Sequence, residues 1–192
     1  MLSTENAGSG CSFSGRLQAN LATVFDGNAP GQCALDLTAA PAGIHVDTTT
    51  FAACDAYCGS NGSYQGNYLR LAPACMPEAI AKARERFKAL YDDQAYAEAD
   101  QALAPVYRQC LSTLPMLDEG GIRNDYALNR HKLEEDADCL AALQKYRDDA
   151  ARTDDEIADG MAPAVVEDYL AIIRAARTNM ALCSRQKEPA AG

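Results

Sequence analysis

The feature that most constrains the fold of this chain is a set of eight cysteines in 192 residues. The spacings are wide and irregular and include no CxxC pair, which argues against a zinc ribbon, an iron–sulfur site or a thioredoxin-type redox centre. Because the number is even and well above ordinary usage, we interpret the cysteines as structural disulfides formed in an oxidising compartment. The alternative is that they are small buried hydrophobic residues of a cytosolic protein.

The positions of the cysteines divide them into two groups. Cys54 and Cys58 are four residues apart in a short predicted helical turn, where their Cβ vectors are nearly parallel, so we expect each to pair with a different partner. Bridges within a group would hold together the part of the chain where that group lies. The first group is Cys11, Cys33, Cys54 and Cys58, and the second is Cys75, Cys110, Cys139 and Cys183.

The spacing of hydrophobic residues changes near residue 76. Before it they alternate with polar residues, which predicts strands, and after it they recur every three or four residues, which is typical of amphipathic helices. We therefore predict an α+β fold, in which a small antiparallel β-meander precedes a disulfide-stapled bundle of helical hairpins. The predicted segments are a flexible N-terminus (1–10), a cysteine-rich β domain (11–76), a helical domain (77–185) and a flexible tail (186–192).

In the β domain, the alternation over 13–25 predicts one strand with Leu17 and Leu21 on the same face. Further strands are predicted over 33–38, 44–48 and 64–71, the second of these with His45 facing outward.

Local signals mark the helix boundaries of the second domain. Pro77 suits the first position of a helix, and Pro105 is expected to kink or divide the helix that contains it. Asp118 is a candidate cap, and Thr153 begins a capping box that is completed three residues later. The last helix is expected to start near Pro163.

The predicted helices form two hairpins that resemble tetratricopeptide-type repeats over residues 79–149. The resemblance rests on Tyr96-Ala97-Glu98-Ala99, which matches the usual end of the first helix and start of the second. It rests also on Cys139, the small residue of the second hairpin that corresponds to Ala99. The chain departs from the family in having repeats about 40 residues apart rather than 34 and no Leu-Gly pair in mid-helix. An irregular helical bundle is the alternative.

The β domain has a second resemblance, which covers residues 11–75. The sequences FSG, CDAYCG and YQGNY resemble those of small cysteine-rich exported bacterial proteins, some of them lysozyme-inhibitor-like. Neither resemblance assigns functional residues to this chain.

The net charge of −10 bears on the choice of partner. Nucleic acids and anionic membranes need a basic face, so we expect neither, and no apolar run is long enough for membrane insertion. Another protein, basic in character, is the expected partner, unless the charge only provides solubility. We expect a periplasmic or secreted protein, with the signal peptide absent from this sequence because the first ten residues are too polar to be one.

The search for catalytic motifs favours a protein that is not an enzyme. The chain has no HExxH, GxSxG, Walker or dinucleotide-binding sequence, and we expect His45 and His131 to be exposed rather than catalytic. We predict no catalytic, cofactor or metal site, and a partner surface formed by tyrosines and acidic residues, unless the tyrosines only pack the fold. The predicted partner-binding residues are Tyr64, Tyr68, Tyr91, Glu134 and Glu135.

Three hypotheses for function remain. The first is an exported inhibitor or immunity protein that acts against a basic cell-wall-degrading enzyme. The second is a helical-repeat scaffold of a secretion or envelope assembly, which holds a peptide in a groove. The third is a carboxylate-dependent hydrolase that uses acidic residues in pairs.

The grouping of the cysteines generates the first test. Peptide mapping of the unreduced protein should recover disulfides within each group and none between the groups. A Cys33–Cys183 bond would contradict the division.

Overall fold

The computed structural model has the α+β architecture that the sequence predicts. The chain divides into two compact units, Met1–Arg70 and Leu71–Gly192, so the boundary lies a few residues before the predicted one. The structure describes residues 2–6, 9–24, 33–58 and 62–185.

The first unit contains an antiparallel meander. Strands β3 to β7 form a five-stranded sheet in which each strand pairs with the next along the chain, and β1 and β2 form a separate two-stranded sheet. Residues 2–6 therefore form a strand, although the sequence predicts a flexible segment over 1–10. The strands are β1 (Leu2–Asn6), β2 (Ser9–Phe13), β3 (Gly15–Gln18), β4 (Leu21–Val24), β5 (Ala34–Ala40), β6 (Gly43–Asp47) and β7 (Gly66–Leu69).

The single strand predicted over 13–25 is wrong, because the chain reverses within it. A two-residue turn with a positive φ of 52° at Ala19 joins β3 to β4, and Leu17 pairs with Ala22. Leu17 and Leu21 consequently point to opposite faces of the sheet, and their exposed fractions are 61% and 48%. The alternation of apolar and polar residues has a period of two, and the turn also has two residues. The alternation therefore continues through the turn without a break, and the sequence pattern does not reveal the hairpin.

The core of the first unit covers one face of its sheet. Leu35 and Val46 are fully buried there, while His45 faces outward as predicted and Asp47 is exposed on the same side. Helix α1 (Phe51–Cys54) and a 3₁₀ turn follow β6. They place the two cysteines of this segment so that each bonds a different partner, in the disulfides Cys33–Cys54 and Cys11–Cys58.

The second unit is helical. Pro77 opens its first helix and the capping box at Thr153 is present, as predicted. The helices are α2 (Pro77–Asp92), α3 (Tyr96–Cys110), α4 (Met116–Lys132), α5 (Asp136–Leu143), α6 (Arg147–Ala150), α7 (Asp154–Ala158) and α8 (Val166–Cys183).

Helix α3 is continuous through Pro105, so Pro105 does not divide the helix, which was one of the two effects predicted for it. Pro105 and Gln101 are both exposed, and water can solvate the carbonyl that lacks its helical partner. Helix α4 begins at Met116, so Asp118 lies in the first turn and complements the helix dipole instead of capping the helix.

The same type of turn connects the two helices of each hairpin, α2 to α3 in the first and α4 to α5 in the second. Gln94 and Glu134 both have a positive φ, of 62° and 65°. In each turn the next residue, Ala95 or Glu135, donates its N–H to the carbonyl five residues earlier, as in a Schellman motif. The backbone thus repeats the hairpin that the sequence suggests, at equivalent positions.

Disulfides hold both ends of the helical unit. Cys75–Cys110 joins the segment before α2 to the end of α3, and Cys139–Cys183 joins α5 to the end of α8. Each of the four bonds lies within one of the two predicted groups, which confirms the division. Loss of such a bond typically costs about 2–5 kcal/mol of stability.

The repeated turn generates a stability prediction. A side chain is unfavourable in the left-handed conformation, so Gln94→Gly should raise the free energy of unfolding by about 0.5–1 kcal/mol. Asp93→Gly is the matched control, since its φ of −80° favours no glycine and the substitution should destabilise. Urea unfolding measures both variants, and a destabilised Gln94→Gly would contradict the prediction.

Candidate functional site

The candidate site is a groove between α2 and α4, the first helices of the two hairpins. Its volume is about 520 Å³, which lies within the range of pockets that bind ligands and peptide side chains. The lining residues are Ala81, Arg84, Glu85, Phe87, Lys88, Tyr91, Asp125 and Leu128.

One wall of the groove is apolar. Phe87 is 6% exposed and belongs to the core of the unit. Its ring centroid lies 5.7 Å from that of Tyr91, which in turn makes an edge contact with Tyr96 at 5.2 Å. Leu128 of α4 is half-buried at the same groove. Packed rings of this kind provide a rigid surface for apolar side chains.

An ion pair crosses the groove. The Nη2 atom of Arg84 on α2 lies 3.4 Å from Oδ2 of Asp125 on α4. Burial raises the pKa of the Asp125 carboxyl above its ordinary value, and the guanidinium of Arg84 offsets only part of this shift. Gly121 leaves room for this arrangement, since a Cβ atom there would lie 3.1 Å from Nη2 of Arg84.

Contacts with α3 hold α4 in place beside the groove. Tyr126 stacks on Tyr107 of α3, with centroids 3.9 Å apart and planes 10° from parallel. Arg130 donates to Asp100 of α3 at 3.1 Å and also pairs with Glu135 and Asp138 at the start of α5. One arginine therefore connects the two hairpins.

Further contacts hold α4 in place on the sides that do not face α3. Glu119 is 7% exposed and accepts hydrogen bonds from Arg123 and Lys145. Burial alone would raise the pKa of Glu119, but these hydrogen bonds lower it, so the carboxylate is held in its charged form. Gly120 permits close approach of α8, because a Cβ atom there would lie 2.6 Å from Cδ1 of Ile172.

The predicted partner-binding tyrosines separate into two kinds. Tyr64 is 1% exposed and its hydroxyl donates to the carbonyl of Tyr57. Tyr68 is half-buried and its hydroxyl donates to the carbonyl of Tyr64 at 2.8 Å. Both therefore pack the first unit, and Tyr64 offers no ring surface to a partner, whereas Tyr91 lines the groove.

Some of the acidic residues pair with cations of the chain. Glu134 is exposed in the turn between α4 and α5, but Glu135 pairs with Arg130. Asp154 accepts hydrogen bonds from Arg177 and Arg174, which lower its pKa. Several carboxylates thus stabilise the fold through internal cations.

The two histidines take different positions. His45 is exposed and its Nδ1 lies 3.0 Å from Oδ1 of Asn67 on the neighbouring strand. His131 is half-buried rather than exposed, and its Nδ1 lies 2.6 Å from Oδ1 of Asp136. Cys183 lies beside this second pair, in a cluster that the sequence pattern did not indicate.

Comparisons of the chain with protein-family models, with curated proteins and with solved structures found no match. Within the part of the chain that the structure describes, none of the helices combines the length and the hydropathy needed to cross a bilayer.

Of the residues that line the groove, only Tyr91 was predicted to bind a partner, although the sequence contains a pattern that indicates part of the groove. Arg84, Lys88 and Tyr91 are spaced four and three residues apart and therefore share a face of α2. A face that combines cations with an aromatic ring is compatible with a binding surface. Asp125 could not be assigned to it, since nothing local shows which helices are neighbours.

The raised pKa of Asp125 generates a prediction about pH. Stability from this group is fully present below its unfolded pKa, near 3.8, and is lost as the pH rises through the higher folded pKa. Asp125→Asn should therefore be more stable than the wild type at pH 7, by less than about 1 kcal/mol because the side chain is 36% exposed. The difference should vanish near pH 3.

Urea unfolding at several pH values measures this difference. Asp92→Asn is the control, because its carboxylate pairs with Lys88 at the surface and its loss should bring no gain. A pH-independent effect of Asp125→Asn would contradict the assignment.

Proposed function

We propose that this chain is an exported protein-binding protein whose helical unit holds a segment of a partner protein in the groove between α2 and α4. The observation that carries the proposal is the groove itself, which is about 520 Å³ in volume. The first helices of the two hairpins form it, and each hairpin contains the same type of turn. The proposal corresponds to the hypothesis of a helical-repeat scaffold that holds a peptide in a groove. Helical hairpins of this kind present grooves to partner segments.

The chemistry of the groove suggests what such a segment contains. Tyr91 and Leu128 suit apolar side chains, which lose water on contact with them. Arg84 is 39% exposed and meets Asp125 through Nη2, so its guanidinium could also donate to a carbonyl or carboxylate of the segment. We therefore expect a segment that combines apolar anchors with an acceptor group.

The cysteine chemistry supports export. All eight cysteines are paired, and none is free. Disulfides of this number persist in the periplasm or outside the cell, where thiols are not kept reduced.

The inhibitor hypothesis is the second candidate, and the net charge of −10 supports it. An acidic protein of this kind would meet the basic cleft of a cell-wall-degrading enzyme through exposed carboxylates such as Glu134. Internal pairing of Glu135 and Asp154 reduces the acidic surface available for this purpose. The two candidates differ in salt dependence, because attraction between exposed charges is screened by salt.

Two alanines of α2 provide a matched test of the groove. Ala81 lines the groove, whereas Ala89 is exposed on the same helix and is not one of the residues that line the groove. Ala81→Trp should fill the groove, and Ala89→Trp should leave it open. The wild type and both variants are immobilised, and proteins captured from an envelope extract are identified at low and at high salt.

A partner that wild type and Ala89→Trp retain at high salt, and that Ala81→Trp loses at least about tenfold, would support binding in the groove. Equal capture by both tryptophan variants would contradict it. A basic hydrolase lost at high salt, weakened by Glu134→Lys and unaffected by Ala81→Trp, would support the inhibitor candidate instead.

A further inference from the structure

Three helix ends of the second unit meet at one cluster of metal-ligating side chains. His131 lies in the last turn of α4, Asp136 is the first residue of α5 and Cys183 is the last residue of α8. One ligand atom from each lies within 4.8 Å of the others. Cys139, bonded to Cys183, brings a second sulfur to the same place.

These groups have the composition of a zinc site. Zn²⁺ takes four ligands in tetrahedral geometry from thiolate, imidazole and carboxylate groups. Among the residues that the structure describes, no other group of three or more His, Cys, Asp and Glu side chains converges in this way. The disulfide prevents such binding, because its sulfurs are bonded to each other and are not thiolates.

We propose that reduction of the Cys139–Cys183 disulfide converts this cluster into a Zn²⁺ site with His131, Asp136, Cys139 and Cys183 as ligands. The reductant is a dithiol, which transfers two electrons and two protons to the bond and becomes a disulfide itself. Zn²⁺ then binds the two thiols as thiolates and releases both protons.

The distance between Cys139 and Cys183 allows Zn²⁺ to replace the disulfide. With Zn–S distances of about 2.3 Å and tetrahedral angles, the two sulfurs would separate to about 3.8 Å. The Cα atoms of Cys139 and Cys183 are 6.3 Å apart, so rotation of the side chains provides much of this separation.

A path for the metal exists on the outer side of the cluster. The side chains of His131 and Asp136 are 27% and 32% exposed, whereas Cys139 and Cys183 are 0% and 5% exposed. Zn²⁺ would therefore arrive at the histidine and the carboxylate and reach the sulfurs behind them. The contact between Nδ1 of His131 and Oδ1 of Asp136, at 2.6 Å, already holds the imidazole beside the carboxylate.

Replacement of the disulfide by Zn²⁺ has a consequence for the fold. The disulfide joins α5 to the end of α8, and a metal bound to both cysteines would maintain this connection in a reducing environment. The helical unit would thus keep its last helix in place in either redox state. This inference does not depend on binding of a partner in the groove.

Alkylation mapping tests the site in the complete chain. The protein is reduced with a phosphine, given one equivalent of Zn²⁺ or none, treated with a thiol-alkylating reagent, and digested for mass spectrometry. Zn²⁺ should slow the alkylation of Cys139 and Cys183 by at least about tenfold and leave Cys75 and Cys110 reactive.

A spectroscopic measurement identifies the ligands. Co²⁺ added to the reduced protein should give the d–d bands of a tetrahedral site and thiolate charge-transfer bands, and the oxidised protein should give neither. His131→Asn should weaken the metal affinity by at least roughly tenfold, as should Asp136→Asn. His45→Asn, in the first unit, is the matched control and should change nothing.

Several results would overturn the proposal. They are Zn²⁺ protection that is equal at all eight cysteines, protection that is absent, and a cobalt affinity that is the same in His131→Asn as in the wild type. If the reduced chain unfolds without metal, refolding around Zn²⁺ would also bury Cys75 and Cys110, so the cobalt bands and their dependence on His131 and Asp136 then decide the question.

Discussion

Covalent pairing of the cysteines within each unit is the constraint on which the rest of this structure depends. Cys33–Cys54 and Cys11–Cys58 attach the short α1 segment to the strands of the first unit. Cys75–Cys110 closes the first helical hairpin, and Cys139–Cys183 attaches the last helix to the second. The bonds close loops of 21 to 47 residues, and the stabilisation that each provides grows with the length of its loop.

Within the helical unit, non-covalent contacts decide where a partner could bind. Tyr126 and Arg130 hold α4 against α3 by stacking and by ion pairs, and Gly120 lets α8 approach α4 closely. The side of α4 that faces α2 is contacted less closely, with Arg84 and Asp125 meeting across an open space. The groove therefore results from strong packing on the other sides of one helix.

Redox chemistry links the fold to its environment. An exported chain keeps Cys139–Cys183 oxidised, and the neighbouring His131 and Asp136 then form an ordinary hydrogen-bonded pair. In a reducing environment the same four side chains have the composition of a metal site. The cluster lies at the ends of three helices, where a single ion can replace one covalent bond as the connection between them.

The sequence by itself determined that a β part precedes a helical part, and it determined the two helical hairpins and the grouping of the cysteines. Helical spacing, Pro77 and the capping box at Thr153 are local signals, and they act within a few residues. Only the tertiary structure revealed the reversal inside 13–25, the groove and the cluster around His131. Each of these depends on which distant segments become neighbours, and that is decided by packing of the whole unit rather than by any local pattern.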